Sequence, residues 1–352
     1  MRLTRGHLNR TLLLRQHLLE RVAATVPDEV EHLIGLQAQD NLPPYLGLAA
    51  RLARFDPREV SSRLRERRLT RFLTMRGTIH LLTPADAALR RFTQPCQDRE
   101  ARTAAQPRAA LQAVDPVGFL AAVDAALAEG PLSMNALRDR LAAGFPDVPA
   151  NALAQLARLK APLVQVPPRG CWKASGQVIY QRADTWTGEP LTEPDVPTLV
   201  RRYLAAFGPA TPADFTAWSG VQGAAALFAQ TEGLVEHADE AGRVLYDVPG
   251  APIAEPDVPA PVRLLGKYDN VFLNHAGRDR VTDPAARQNW AQFGAATAHL
   301  VFADGWLVGF WRPTSSGEVE VIELLRELTP RESAELEAEK AVVRELMMTP
   351  PD

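Results

Sequence analysis

Leu36-Gln37-Ala38-Gln39-Asp40-Asn41 joins two segments of helical periodicity, and the conformation of this stretch decides how the chain is organised. Two glutamines at i and i+2 would point about 200° apart on a helix; on extended backbone they point to the same side. The flanks favour extension. Pro27 to Leu36 carries Val30, Leu33 and Ile34 at helical spacing and meets Gly35. Pro43-Pro44 suit the first turn of a new helix, where missing N–H donors cost little, and Asp40 or Asn41 could cap it. Gln37 and Gln39 are therefore expected to project together from a short connector between two helices. Paired amides on a connector hold a water or grip a polar ligand; the bland alternative is a surface or capping pair.

The chain's 352 residues with 46% hydrophobic content exceed one small core and predict two or three domains. There is no apolar run of 18 residues or more, which speaks against a membrane span. The first residues stay charged as far as Arg15 and lack the apolar core of a signal peptide. Cys96 and Cys171 are the two cysteines and have no ligand partners nearby in sequence, so neither a disulfide framework nor a zinc site is expected. These features predict a cytoplasmic protein without metal or cofactor, and the Asn9-Arg10-Thr11 sequon then has no meaning. The net charge of −3 hides an asymmetry. Residues 1–110 hold 19 arginines against 11 acidic residues, a balance of +8 that leaves −11 for the remainder. A basic region on an acidic whole is the pattern of localised polyanion binding, although solvated helix faces produce it too.

In chain order, helices are expected around Leu8 to Leu18, Val30 to Leu36, Tyr45 to Leu52 and Asp56 to Leu64. Alternating strands follow at Leu69 to Met75 and Thr78 to Leu82, with Arg76-Gly77 in the turn. Helices leading into a two-stranded ribbon describe a winged helix. Asp115 to Thr187 repeats this order, with helices at Pro116 to Leu127, after Ser133, and at Pro149 to Lys160. Leu163 to Val166 is then expected to pair with Cys171 to Lys173 across Pro167-Pro168-Arg169-Gly170. Pro197 to Val248 repeats it again. Past the Pro- and Ala-rich 249–261 come strands, an Asp304-Gly305 hairpin signal and a charged helix over Arg331 to Met347. The predicted fold class is α+β. Its domains are three tandem winged helices at 1–110, 111–190 and 191–250, then a β-rich region at 251–352 closed by a helix.

This arrangement resembles the winged-helix DNA glycosylases that unhook interstrand crosslinks, of the azinomycin-resistance (AlkZ/YcaQ-like) type, over nearly the whole chain. The residues that carry the resemblance are Leu3-Thr4 through Leu14, Gly35 through Asp40, Met75-Arg76-Gly77-Thr78-Ile79-His80, and Tyr268-Asp269-Asn270-Val271-Phe272-Leu273-Asn274-His275. The resemblance implies a concave DNA channel formed by the winged helices and catalysis by a glutamine–aliphatic–glutamine motif, which Gln37-Ala38-Gln39 matches residue by residue. It also implies a monofunctional, monomeric enzyme acting on duplex DNA bearing N7-alkylguanine or crosslinks. A branch of the superfamily has aspartate at the second glutamine; Gln39 places this chain with the crosslink-resistance branch.

Amides suffice for such chemistry because alkylation at N7 makes guanine cationic, so the base departs neutral without acid help. What remains is to place a water and stabilise an oxocarbenium-like sugar. A glutamine carbonyl orients that water by accepting its hydrogen bond. Asp40 is either a proton acceptor or a helix cap. Arg76, Arg278 and Arg280 are candidate DNA contacts, since loop guanidiniums engage phosphate oxygens bidentately, and Lys267 is a further candidate. His80 and His275 line the channel in one account and are structural in the other. Arg63, Arg65, Arg67, Arg68 and Arg71 form a second DNA face or a solvated surface. The competing function is a winged-helix transcriptional regulator that reads bases through a recognition helix such as Ala150 to Lys160.

Overall fold

A computed structural model describes residues 1–283 and 298–351 of the chain. It has two compact units. The first contains Met1–Pro57, Asp195–Trp218 and Gln222–Pro350; the second contains Arg58–Pro194 and Ser219–Val221. The first 110 residues contribute to both.

In the first unit, Thr4 caps the helix Arg5–Arg15 through a capping box with His7. Leu8, Leu12 and Leu13 on that helix are buried. Its polar residues are buried as well and reach far along the chain. Asn9 donates to the carbonyls of Arg280 and Gly305 at 2.6 and 2.8 Å. Arg15 forms a two-pronged pair with Asp247 at 2.8 Å. Strand Arg2–Leu3 lies parallel to Val235–Asp239, which pairs antiparallel with Val244–Asp247. The helices Val196–Phe207 and Pro212–Ser219 bring Tyr203, Phe207, Phe215 and Trp218 into one aromatic cluster with ring centroids 5.1 to 6.3 Å apart. A four-stranded antiparallel sheet follows in the order Arg263–Leu265, His299–Ala303, Trp306–Pro313, Val319–Leu324. The Asp304-Gly305 hairpin has positive φ at both residues (46° and 79°), as a type I′ turn requires. Helix Pro330–Met348 completes this region, and its Glu339 accepts from Arg21 at 2.9 Å and Arg263 at 3.1 Å.

In the second unit, Thr70–Leu73 pairs antiparallel with Ile79–Leu82. The turn between them is left-handed at Arg76 (φ 55°) and Gly77 (φ 70°). The far edge of Thr70–Leu73 pairs with Leu163–Val166, which pairs in turn with Ile179–Arg182. The sequence placed the second of these partners at Cys171 to Lys173, and the structure corrects this. Pro167-Pro168 supply no N–H for a ladder. The Trp172 N–H donates to Ser61 Oγ at 2.8 Å, and Cys171 and Trp172 are buried in the interior. Leu132–Ser133 adds to Ile179–Arg182, so 116–182 runs helix, short strand, helix, helix, strand, strand.

Among the described residues, no group of three or more His, Cys, Asp or Glu is placed to hold a metal ion. None of the single helices described is long and apolar enough to cross a membrane.

Candidate active site

The connector is built by the way its first helix stops. Val26–His32 starts at a Thr25–Asp28 capping box and ends with the Ile34 N–H on the Glu31 carbonyl (3.1 Å) and the Gly35 N–H on the Val30 carbonyl (2.9 Å). This is a Schellman ending, in which a left-handed residue reverses the chain. Glycine is usual at the reversal; here the left-handed residue is Ile34 (φ 51°), followed by Gly35 (φ 93°). A β-branched side chain in that conformation is strained and persists only where its surroundings hold it. Leu36–Gln37 then runs extended, and Leu42–Arg51 begins with Pro43 and Pro44 in its first turn. Gln37 is 7% exposed, Ala38 is buried and Gln39 is exposed, so the two amides differ in their access to solvent.

The capping role considered for Asp40 and Asn41 is corrected. Asn41 occupies the cap position but its side chain makes no capping hydrogen bond. Asp40 instead forms an ion pair with Lys267 at 2.5 Å.

Lys267 opens a set of contacts from one short loop. Gly266 lies so close to Pro43 that a Cβ on it would stand 3.0 Å from the Pro43 backbone. The Lys267 N–H donates to His299 Nδ1 at 3.0 Å, and the His299 ring packs on Trp311. Asp269 takes both prongs of the Arg51 guanidinium at 2.7 and 2.9 Å. Arg51 also donates to the Gly47 carbonyl at 2.9 Å. Asn270 donates its side-chain amide to the carbonyls of Leu33 (3.4 Å) and Gly35 (2.9 Å). Residues 266–270 therefore grip the segment 33–51 at five points, on both sides of Gln37-Ala38-Gln39. Asp269 and Asn270 carry the family resemblance in the sequence, but their part in this grip is visible only in the structure. The signal is an adjacent Asp and Asn, directly after Lys267-Tyr268, leading into the apolar Val271-Phe272-Leu273.

The other anticipated site residues fall into two groups. Arg76, Lys267 and Arg278 are partly exposed. Arg278 stacks over Phe272 and Lys267 over Tyr268, at 5.2 and 5.6 Å. His80, His275 and Arg280 lie in the interior, 1%, 5% and 9% exposed. Burial, reinforced by the Arg76 charge, pushes the His80 imidazole down to about 3; its Nε2 sits 3.4 Å from Arg76 Nη2. Burial and the Arg280 charge push His275 down to about 4, and its Nε2 meets the Phe207 carbonyl at 3.0 Å. Burial works against the charge on Asp214, yet the neighbouring His275 and Arg280 keep its carboxyl below the ordinary range.

The arginine cluster divides as well. Arg65, Arg67 and Arg68 are exposed, with Arg67 over the Trp186 ring at 4.5 Å. Arg71 is buried beside Gln165, so it is not part of an outward-facing surface. On Ala150–Lys160, Arg158 is tied to Glu100 at 2.6 Å and Lys160 to Asp98 at 2.7 Å, which engages the cations of that helix.

Comparison with known proteins agrees with this frame. The family model described as DNA glycosylase AlkZ-like matches residues 30–345. The interstrand DNA cross-link repair glycosylase of Streptomyces sahachiroi is 26% identical over 366 residues, covering 94% of this chain and 91% of the relative. The solved structure of Streptomyces sahachiroi DNA glycosylase AlkZ superposes with a TM-score of 0.78 at 23% identity, over 99% of this chain and 97% of that one, and so shares this mixed α and β fold.

Proposed function

The chain belongs to the AlkZ-like DNA glycosylase family, and from that premise we propose that it unhooks interstrand crosslinks attached at N7 of guanine as well as removing N7-alkylguanine monoadducts. As a DNA glycosylase it hydrolyses an N-glycosyl bond of DNA. The observation that carries the proposal is Gln37-Ala38-Gln39 on a connector gripped on both sides by residues 266–270. A cationic N7-alkylguanine needs no proton to leave. The enzyme's task is to hold a water against the sugar and to stabilise charge developing there, and fixed amide dipoles do both. Gln37 and Gln39 orient that water. Asp40, its charge shared with Lys267, anchors the connector.

Duplex DNA is the partner of a monomeric enzyme in this account. Arg76, Lys267 and Arg278 contact phosphates, His80 supports Arg76 from the interior, and His275 with Arg280 fixes the loop that carries Arg278. Three helices ending in two paired strands, with a short extra strand after the first helix in 116–182 and none in 196–247, support winged helices at 111–190 and 191–250. With 1–110 as the first such unit and 251–352 as the β-rich region, they would line a concave channel for the duplex. A crosslinked base cannot swing out fully as base-flipping enzymes demand. Only 7% of residues are aromatic, and Tyr45 is the aromatic near Gln37 in sequence, which supports an approach without a closed base pocket.

The test is a duplex carrying one N7-guanine crosslink, incubated with excess enzyme and run on a denaturing gel. Strand separation is expected at a rate comparable with release of an N7-methylguanine monoadduct. Monoadduct release without strand separation would confine the enzyme to simple alkylation repair.

A further inference from the structure

We propose that Asn270 is a positioning residue for the active site: its amide bridges the carbonyls on either side of the left-handed Ile34-Gly35 reversal and sets the direction in which Gln37 leaves the helix. The inference rests on the proposed catalytic role of Gln37 and adds the residue that aims it.

The geometry is specific. Asn270 is 3% exposed, and its Nδ2 stands 2.9 Å from the Gly35 oxygen and 3.4 Å from the Leu33 oxygen. Those two carbonyls bracket Ile34, the residue held at φ 51°. A left-handed isoleucine has an extended alternative that relieves its strain, and adopting it would swing everything after Gly35. A single amide with two donors keeps both flanking carbonyls turned to one side and so closes off that alternative. Gln37 follows Gly35 by two residues, too few for the error to be absorbed. Downstream, Lys267–Asp40 and Asp269–Arg51 hold the connector's other end. With both ends fixed, the direction of Gln37 follows from where the bridge holds the reversal. Asn270 itself touches no reacting atom in this scheme and acts through backbone alone.

The experiment compares wild type, Gln37→Ala, Asn270→Ala and the double variant in single-turnover release of N7-methylguanine at saturating enzyme. Affinity for the same duplex and the thermal transition are measured alongside. Asn270→Ala is expected to slow release about 10- to 100-fold, the scale of a misplacement of about 1 Å, with duplex affinity within about twofold of wild type. The double variant should fall well short of the product of the two single effects, because both changes act on the same aimed amide. Multiplying effects would overturn the proposal, as would a wild-type rate for Asn270→Ala beside a slow Gln37→Ala; in both cases the catalytic role of Gln37 stands. A wild-type rate for Gln37→Ala would sink that role and this inference together. Asn270→Asp supplies a readout that loss of packing does not move, and it serves if the alanine variant fails to fold. A protonated carboxyl can donate to one of these carbonyls and a carboxylate to neither, so its release rate should fall as pH rises through the ionisation of that carboxyl. A pH profile parallel to wild type would overturn the proposal.

Discussion

Arg51 and Asp269, 218 residues apart in sequence, meet in a fully buried two-pronged ion pair at 2.7 and 2.9 Å. One end belongs to the helix that follows the glutamines, the other to the loop that holds the connector. Removing one partner of a buried pair leaves a desolvated charge and costs about 3–5 kcal/mol. Asp269→Ala is therefore expected to lose that much stability in urea unfolding. Arg51→Met with Asp269→Leu should recover much of it. A loss below about 1 kcal/mol for Asp269→Ala would show that Arg51 finds another partner.

Gln37 and Gln39 should separate under mutation because one is enclosed and the other exposed. Gln39→Ala is expected to lower single-turnover base release roughly 10- to 1,000-fold without shifting the melting transition, the range for one lost positioned polar group. Gln37→Ala should lower release similarly and also cost about 1 kcal/mol of stability, since a buried amide is deleted. Wild-type rates in both variants would end the catalytic proposal.

Leaving-group charge offers an independent check. Among the groups proposed here, none is a strong acid aimed at the base, so excision should favour cationic N7-alkylguanine by orders of magnitude over uracil or 8-oxoguanine in matched duplexes. Rapid release of uracil would reveal an acid that this account lacks.

The interior histidines set the response to pH. His80 is held down to about 3, and His275 and His299 to about 4, chiefly by burial. Unfolded histidines titrate near about 6.5. The folded state then binds fewer protons than the unfolded chain below that value. The stability these groups contribute is complete above about pH 6.5. Each loses about 1 kcal/mol per pH unit as pH falls towards its folded value. Melting temperature should fall from pH 7 to 4.5, and His80→Gln should flatten part of that slope. An unchanged slope would mean that His80 gains its proton without unfolding.

The frame of the connector was legible because its punctuation is local: a helix stop, two glutamines, then two prolines, all within ten residues. The Asp304-Gly305 hairpin was legible for the same reason. The parts that escaped depend on residues distant in sequence. Nothing near Ile34 announces a left-handed isoleucine, because what holds it is the amide of Asn270. Arg280 looked like a loop arginine open to phosphate. It lies buried beside Asp214, which a different segment brings to it. The Leu163–Val166 pairing was misplaced for a related reason: Trp172 is drawn into the interior and its N–H to Ser61, more than a hundred residues earlier.

The split composition of the first unit has a consequence for the order in which the protein is made. Its first 57 residues leave the ribosome long before their partners: Arg2–Leu3 needs Val235–Asp239, and Arg51 needs Asp269. At bacterial-like synthesis rates of about 5–20 residues per second, Arg51 waits on the order of ten to forty seconds for Asp269. The second unit is complete but for Ser219–Val221 once Pro194 has emerged, so it can collapse before residues 266–270 exist to grip the connector. The glutamine connector is thus translated well before residues 266–270, and their grip on it is among the last contacts to form.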